Sequence, residues 1–293
     1  LTELNLEECK GLKGLPKRLG NLTGLTELNL QRCGWLGELP EWLGFLTRLE
    51  MLNMRNCYCL NRLPGRLGNL TRLQMLKLGG SGLMVLPERL GDLVGLRTLN
   101  LASCTALIRL PERLWDLTGL KTLNLGGCKG LTSLTELLGG LTGLTELNLE
   151  ECKGLKGLPK RLGNLTGLTE LNLQRCGWLG ELPEWLGFLT RLEMLNMRNC
   201  YCLNRLPGRL GNLTRLQMLK LGGSGLMVLP ERLGDLVGLR TLNLASCTAL
   251  IRLPERLWDL TGLKTLNLGG CKGLTSLTEL LGGLTGLTEL NLE

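Results

Sequence analysis

Residues 1–24, LTELNLEECKGLKGLPKRLGNLTG, decide the architecture, because every later segment is a variant of them. Leucine stands at Leu1, Leu4, Leu6, Leu12, Leu15, Leu19 and Leu22, and Cys9 and Pro16 complete the frame. Leu4-Asn5-Leu6 alternates apolar and polar, the period of a strand with one covered face. Leu12, Leu15, Leu19 and Leu22 fall three or four apart, which suits a tight turn followed by a loose helical arc. Pro16 can open that arc, since the first helical position needs no backbone donor. Gly20 and Gly24 supply bends. Each unit therefore reads as a short strand, a tight corner and an irregular return.

One such unit cannot stand alone. Its strand has two unpaired edges and its leucines are wet on both flanks. Stacking cures both defects: strands join a parallel sheet at ~4.8 Å spacing, and leucines meet leucines above and below. The chain supplies the neighbours. Repeats run Leu1–Gly24, Leu25–Arg48, Leu49–Arg72, Leu73–Gly95, Leu96–Gly119 and Leu120–Gly143. The fourth has 23 residues, its loss falling in the corner Gly79-Gly80-Ser81-Gly82-Leu83. Then the chain restarts, and residues 1–150 are identical to 144–293. The expected organisation is a single array over 1–293: two identical 143-residue units, 1–143 and 144–286, of six repeats each, with 287–293 opening a third. Solenoid ends normally carry atypical polar caps. Neither end here departs from the middle, so a longer parent array or end-to-end self-association is expected, and the function expected first is that of a segment of a long repetitive or filament-forming structural protein, the alternative being a receptor-type solenoid that binds a protein on its concave face.

The pattern L-x-x-L-x-L-x-x-C-x-x-L-x-x-L-P-x-x-L-G-x-L-T-x resembles the leucine-rich repeat over the whole chain. The C-x-x-L-x-x-L-P form is most similar to the cysteine-bearing repeats of plant disease-resistance receptors. The resemblance implies a right-handed α/β solenoid with a concave parallel sheet and short helical or irregular convex arcs. It implies use as a surface for binding other proteins. The composition agrees: an aromatic share of 3% suits a thin, uniform core with Leu in every coil.

Catalysis is not expected. The 293 residues include no histidine, which removes Ser–His–Asp and Cys–His schemes and the usual proton shuttle. Glu7 and Glu8 would sit on an open strand face rather than in a cleft. The sequence holds no phosphate-loop motif, so no cofactor is expected. Ten of the twelve cysteines recur at one position of the repeat, and none forms a C-x₂-C pair, so no metal site is expected. Cys9, Cys33, Cys57, Cys104 and Cys128, and their copies Cys152, Cys176, Cys200, Cys247 and Cys271, are expected as a buried, reduced ladder behind the strands, with Ser81 in the short repeat. Cys59 and Cys202 are expected to be exposed.

The net charge of +8 comes from 34 Lys and Arg against 26 Asp and Glu. No basic block of five or more occurs, and Glu41, Glu88 and Glu112 lie beside the arginine column Arg18, Arg66, Arg89 and Arg113 and should neutralise it. Both features argue against nucleic acid. No apolar run reaches the ~18 residues of a membrane span. Asn21, Asn69, Asn164 and Asn212 each open an Asn-Leu-Thr sequon. The sequons suit an extracellular setting, the reduced thiols a cytoplasmic one.

A partner would meet the outward columns of the strand face. These run from acidic (Glu3, Glu27) through an apolar centre (Met51, Met75) to basic (Arg32, Arg55, Lys77, Arg97). Asn5, Asn29 and Asn53 share one column, where stacked amides are expected to bond to one another along the sheet. Asn29 and Asn53 are included in the candidate surface. Lys121 is expected to meet Glu146, and Trp42 is expected to stack with Arg18 and Arg66.

Overall fold

A computed structural model describes residues 1–275 and 281–293, which fall into two compact units, Leu1–Leu147 and Asn148–Glu293. The first unit holds β1 (Glu3–Asn5), β2 (Glu27–Asn29), β3 (Met51–Asn53), β4 (Met75–Lys77), β5 (Thr98–Asn100) and β6 (Thr122–Asn124). β7 (Glu146–Asn148) spans the division. The second unit holds β8 (Glu170–Asn172), β9 (Met194–Asn196), β10 (Met218–Lys220), β11 (Thr241–Asn243), β12 (Thr265–Asn267) and β13 (Glu289–Asn291). Within each unit consecutive strands pair in parallel, β1 to β6 and β8 to β13.

The register keeps like positions together. Leu4, Leu28, Leu52, Leu76, Leu99 and Leu123 form one inward row, and Leu28 to Leu123 are all buried. The short repeat does not disturb it. Met75 still pairs with Thr98, because the missing residue is lost after the strand. The corner that follows each strand is sharp. Its second residue has positive φ in every coil of the first unit: Glu8 (59°), Arg32 (60°), Asn56 (60°), Gly80 (73°), Ser103 (60°) and Gly127 (75°). Only Gly80 and Gly127 adopt that region without a Cβ penalty.

The return arcs are 3₁₀ turns, for example Lys17–Asn21, Glu41–Phe45 and Gly65–Asn69. The leucine spacing explains the tighter helix. Leu19, Leu22 and Leu25 are three apart, and in a 3₁₀ turn such residues share one side. The bonds follow: Leu19 N–H to the Pro16 carbonyl (3.0 Å), Leu22 to Leu19 (3.0 Å), Leu25 to Leu22 (3.0 Å). The proline stands one place earlier than expected, in extended conformation at the N-cap (φ −60°, ψ 138° for Pro16). It has no side chain able to cap, so the preceding coil does so. Glu41 accepts the backbone N–H groups of Gly65 (3.1 Å) and Arg66 (2.9 Å) at the start of the next turn.

The cysteines form the expected ladder with one exception. Buried thiols donate to the carbonyl of the residue just after the strand in the coil before: Cys33 to Leu6 (3.2 Å), Cys57 to Leu30 (3.1 Å), Cys128 to Leu101 (3.1 Å). Ser81 takes the position in the short coil and meets the Cys104 sulfur at 3.3 Å. Cys9, in the first coil described, is exposed, whereas its copy Cys152 is buried. Cys59 and Cys202 are exposed, as expected.

Two aromatic expectations change. The guanidinium of Arg66 lies over Phe45, 5.3 Å from the ring centre, and Arg209 over Phe188 likewise at 5.4 Å. Trp42 is half-buried against Gly20, where an added Cβ would stand 3.2 Å from the indole. The longer ring reaches back over the neighbouring turn, which leaves the shorter phenyl beside the arginine.

Burial pushes the Cys57 and Cys200 thiols up to about 11 from 9.0. Below pH 9 these thiols are neutral both folded and unfolded. Between about 9 and 11 they ionise only in the unfolded chain, so stability falls as pH rises through that window, on the order of 2 kcal/mol per thiol. Chemical denaturation at pH 8, 9, 10 and 11 should show this fall, and Cys57→Ala with Cys200→Ala should make it shallower.

Candidate functional site

The strand face is the long surface on which side chains differ from coil to coil. Each strand contributes its first and third residues outward and its central leucine inward, so the outward residues line up in columns. The first column runs Glu3, Glu27, Met51, Met75, Thr98, Thr122 in paired register. Glu3 and Glu27 are exposed, and Met51 and Met75 are half-buried side by side. Arg55 and Arg97 are exposed, and Lys77 is half-buried. Arg97 is anchored by a bond from its guanidinium to the Gly119 carbonyl at 2.8 Å. Gly79 opens the next corner behind Lys77.

The asparagine column does different work from that expected. Its amides do not bond to one another. Asn53 accepts the Arg55 backbone N–H (3.2 Å) and donates its amide to Gln31 Oε1 (3.0 Å). Asn29 does the same with the Gln31 N–H (3.1 Å) and with Glu7 Oε2 (3.2 Å). The geometry prefers this because each carbonyl oxygen is already engaged two residues along its own chain, closing the corner as an Asx turn. The amide can then reach only the side chain that follows the strand of the preceding coil. Asn53 is 8% exposed and offers a partner little. Glu7, Gln31, Glu50 and Gln74 belong to the surface in its place. Gln31 donates to Glu7 (2.8 Å) and Gln74 to Glu50 (3.3 Å), each one coil apart. Their 24-residue spacing was the available signal.

Arg32 leaves the strand face. Its positive φ turns it onto the corner, where it pairs with Glu8 of the coil before, which raises the guanidinium pKa. Lys121 does not pair with Glu146. Its ammonium bonds the Gly143 carbonyl (3.1 Å), while Glu146 accepts from the Thr122 hydroxyl (3.3 Å). Within the arginine column, Arg89 and Arg113 pair with residues other than those expected. Asp92 sits between Arg89 (2.9 Å) and Arg113 (2.7 Å), and its bond to Arg89 holds its carboxyl below the usual range. Glu41 and Glu88 cap turns instead. Among the sequons, Asn21 and Asn164 are exposed, whereas the Asn69 and Asn212 oxygens accept from Arg89 (3.0 Å) and Arg232 (3.2 Å). Among the described residues no group of three or more His, Cys, Asp or Glu could hold a metal, and no helix is long and apolar enough to cross a membrane.

Comparison with known proteins follows the coil geometry. The family model described as Leucine Rich Repeat matches residues 24–46 and 167–189. A search of curated proteins returned no match. Among solved structures, an internalin (InlF) from Listeria monocytogenes is similar at a TM-score of 0.74 and 24% identity, over all of this chain and 81% of its own. The functional domain of InlJ from Listeria monocytogenes, described as including a cysteine ladder, is similar at 0.77 and 21%, over all of this chain and 58% of its own. The leucine-rich repeat domain of the type III effector XopL is similar at 0.56 and 28%, over 82% of this chain and 75% of its own.

The two kinds of column should separate on mutation. Asn53→Leu strands the Arg55 N–H and should destabilise by about 1–3 kcal/mol. Met75→Lys, on the contact column, should cost less than about 0.5 kcal/mol. Urea denaturation of both variants checks the contrast.

Proposed function

We propose that the chain, which carries leucine-rich repeats matched at residues 24–46 and 167–189, is a non-enzymatic scaffold whose strand face binds a partner protein. The carrying observation is the column Glu3, Glu27, Met51, Met75, flanked by Arg55 and Arg97. A side-by-side methionine pair supplies an adaptable apolar anchor. The charges around it change sign along the face, which orients a partner carrying the opposite gradient. Leucine-rich-repeat proteins commonly bind proteins, and the family fold supports this use over catalysis. Because residues 1–150 recur as 144–293, the columns recur with them, with Met194 and Met218 in place of Met51 and Met75. Two copies of one contact surface suit a partner that is itself repeated, since linked sites raise avidity without new contacts.

A photo-crosslinking residue placed at Met75 should form a discrete adduct in cells that make the protein natively. The same residue at Asn61, exposed away from the strands, should not. Equal labelling at both positions would refute a strand-face partner.

A second reading is favoured by the complete 143-residue identity: the chain is a segment of a periodic structural protein that builds filaments. Uniform coils serve a fibre as well as they serve a receptor, since each needs only its neighbour. Negative-stain images should then show threads. Discrete particles, with a mass of 32.2 kDa by light scattering, would remove this reading.

A further inference from the structure

We propose that a cleft on the corner beside the strand face, present once in each unit, binds a neutral glycan. The first cleft, of about 420 Å³, is lined by Glu8, Lys10, Arg32, Gly34, Trp35 and Tyr58. The second, of about 430 Å³, is lined by the same six positions one period later: Glu151, Lys153, Arg175, Gly177, Trp178 and Tyr201. Both volumes fall in the roughly 300–1,000 Å³ range of ligand pockets. Neither belongs to the contact columns described above, so the inference stands apart from the strand-face reading.

The aromatic rings are the first indication. In a chain with two tyrosines and six tryptophans, this corner holds both tyrosines and two of the tryptophans. They do not fill the core: Trp35 is 63% exposed and Tyr58 66%. The indole also takes two placements in segments of identical sequence. Trp35 stands in solvent, whereas Trp178 is half-buried and donates Nε1–H to the Cys152 carbonyl at 2.8 Å.

The charged groups select the ligand. Arg32 is paired with Glu8, and Arg175 with Glu151, so each cleft presents fixed donors and fixed acceptors together. A phosphate chain needs donors only and would be repelled by the carboxylate. A cationic side chain would be repelled by the arginine and lysine. Sugar hydroxyls are donors and acceptors at once, and the apolar C–H face of a pyranose ring stacks on an exposed aromatic face. A guanidinium–carboxylate pair and two aromatic rings lining one cleft meet all three needs of such a ring, with Lys10 or Lys153 adding a further donor.

The test is calorimetric titration of the full chain with tetrasaccharides of glucose, N-acetylglucosamine and mannose. Saturable binding of at least one is expected, at two sites per chain. Trp35→Ala with Trp178→Ala should weaken it about tenfold, the order expected for loss of a stacking ring. Phe45→Ala with Phe188→Ala, on the return arcs, should leave it unchanged. The indole N–H resonances of Trp35 and Trp178 should shift during titration of the unmodified chain, which tests the site without relying on a variant. Absence of saturation by all three sugars would overturn the proposal. So would binding that survives the tryptophan substitutions, or a proline-rich peptide or oligothymidine shifting the same resonances while the sugars do not.

Discussion

The coils described complete their hydrogen bonds through one another. The Leu6 N–H is satisfied by the Asn29 carbonyl one coil on (2.8 Å), and the Leu6 carbonyl by the Cys33 thiol (3.2 Å). The turn that begins at Gly65 is capped by Glu41 of the coil before it. Buried backbone groups left without partners are costly, so the coil becomes a stable object only as a member of a stack. The leucine core obeys the same constraint. Each inward leucine of the strands packs beside its counterparts 24 residues away, or 23 across the short repeat.

That dependence shapes the surface. Because paired strands hold one register, any outward position becomes a column, and its chemistry is set by residues 24 apart rather than by neighbours in sequence. Glu3 and Glu27, then Met51 and Met75, then Thr98 and Thr122 are thereby brought into one column. It also explains the cysteines. A thiol is small enough for the corner, donates weakly to the carbonyl behind it, and resists ionisation where it is buried. The ladder is a packing device, with Cys59 and Cys202 outside it.

Corners are a second place where the coils differ. The strand and the return arc are constrained on the inside by leucine, but the corner side chains face away from the stack. Positive φ at Glu8 and Arg32 turns two charged residues toward each other across adjoining coils. Trp35 and Tyr58 stand beside them. The methionine face and the aromatic corner are therefore separate surfaces of one coil stack, and each is repeated when the 143-residue period repeats.

The amino-acid sequence by itself determined the coil, its stacking partner and the register, because leucine spacing at one period leaves a single way to bury every leucine. It placed Met51 beside Met75 and predicted a thiol ladder from periodicity alone. What only the tertiary structure decided was the direction and partner of each polar side chain. Asn53 turned from contact residue to buried brace, Arg32 moved to the corner, Asp92 replaced Glu88 as the arginine's counter-ion, and Phe45 replaced Trp42 beneath Arg66. The physical reason is that apolar burial is non-directional and follows from spacing, whereas a hydrogen bond or ion pair depends on angles and distances that exist only once two coils have met.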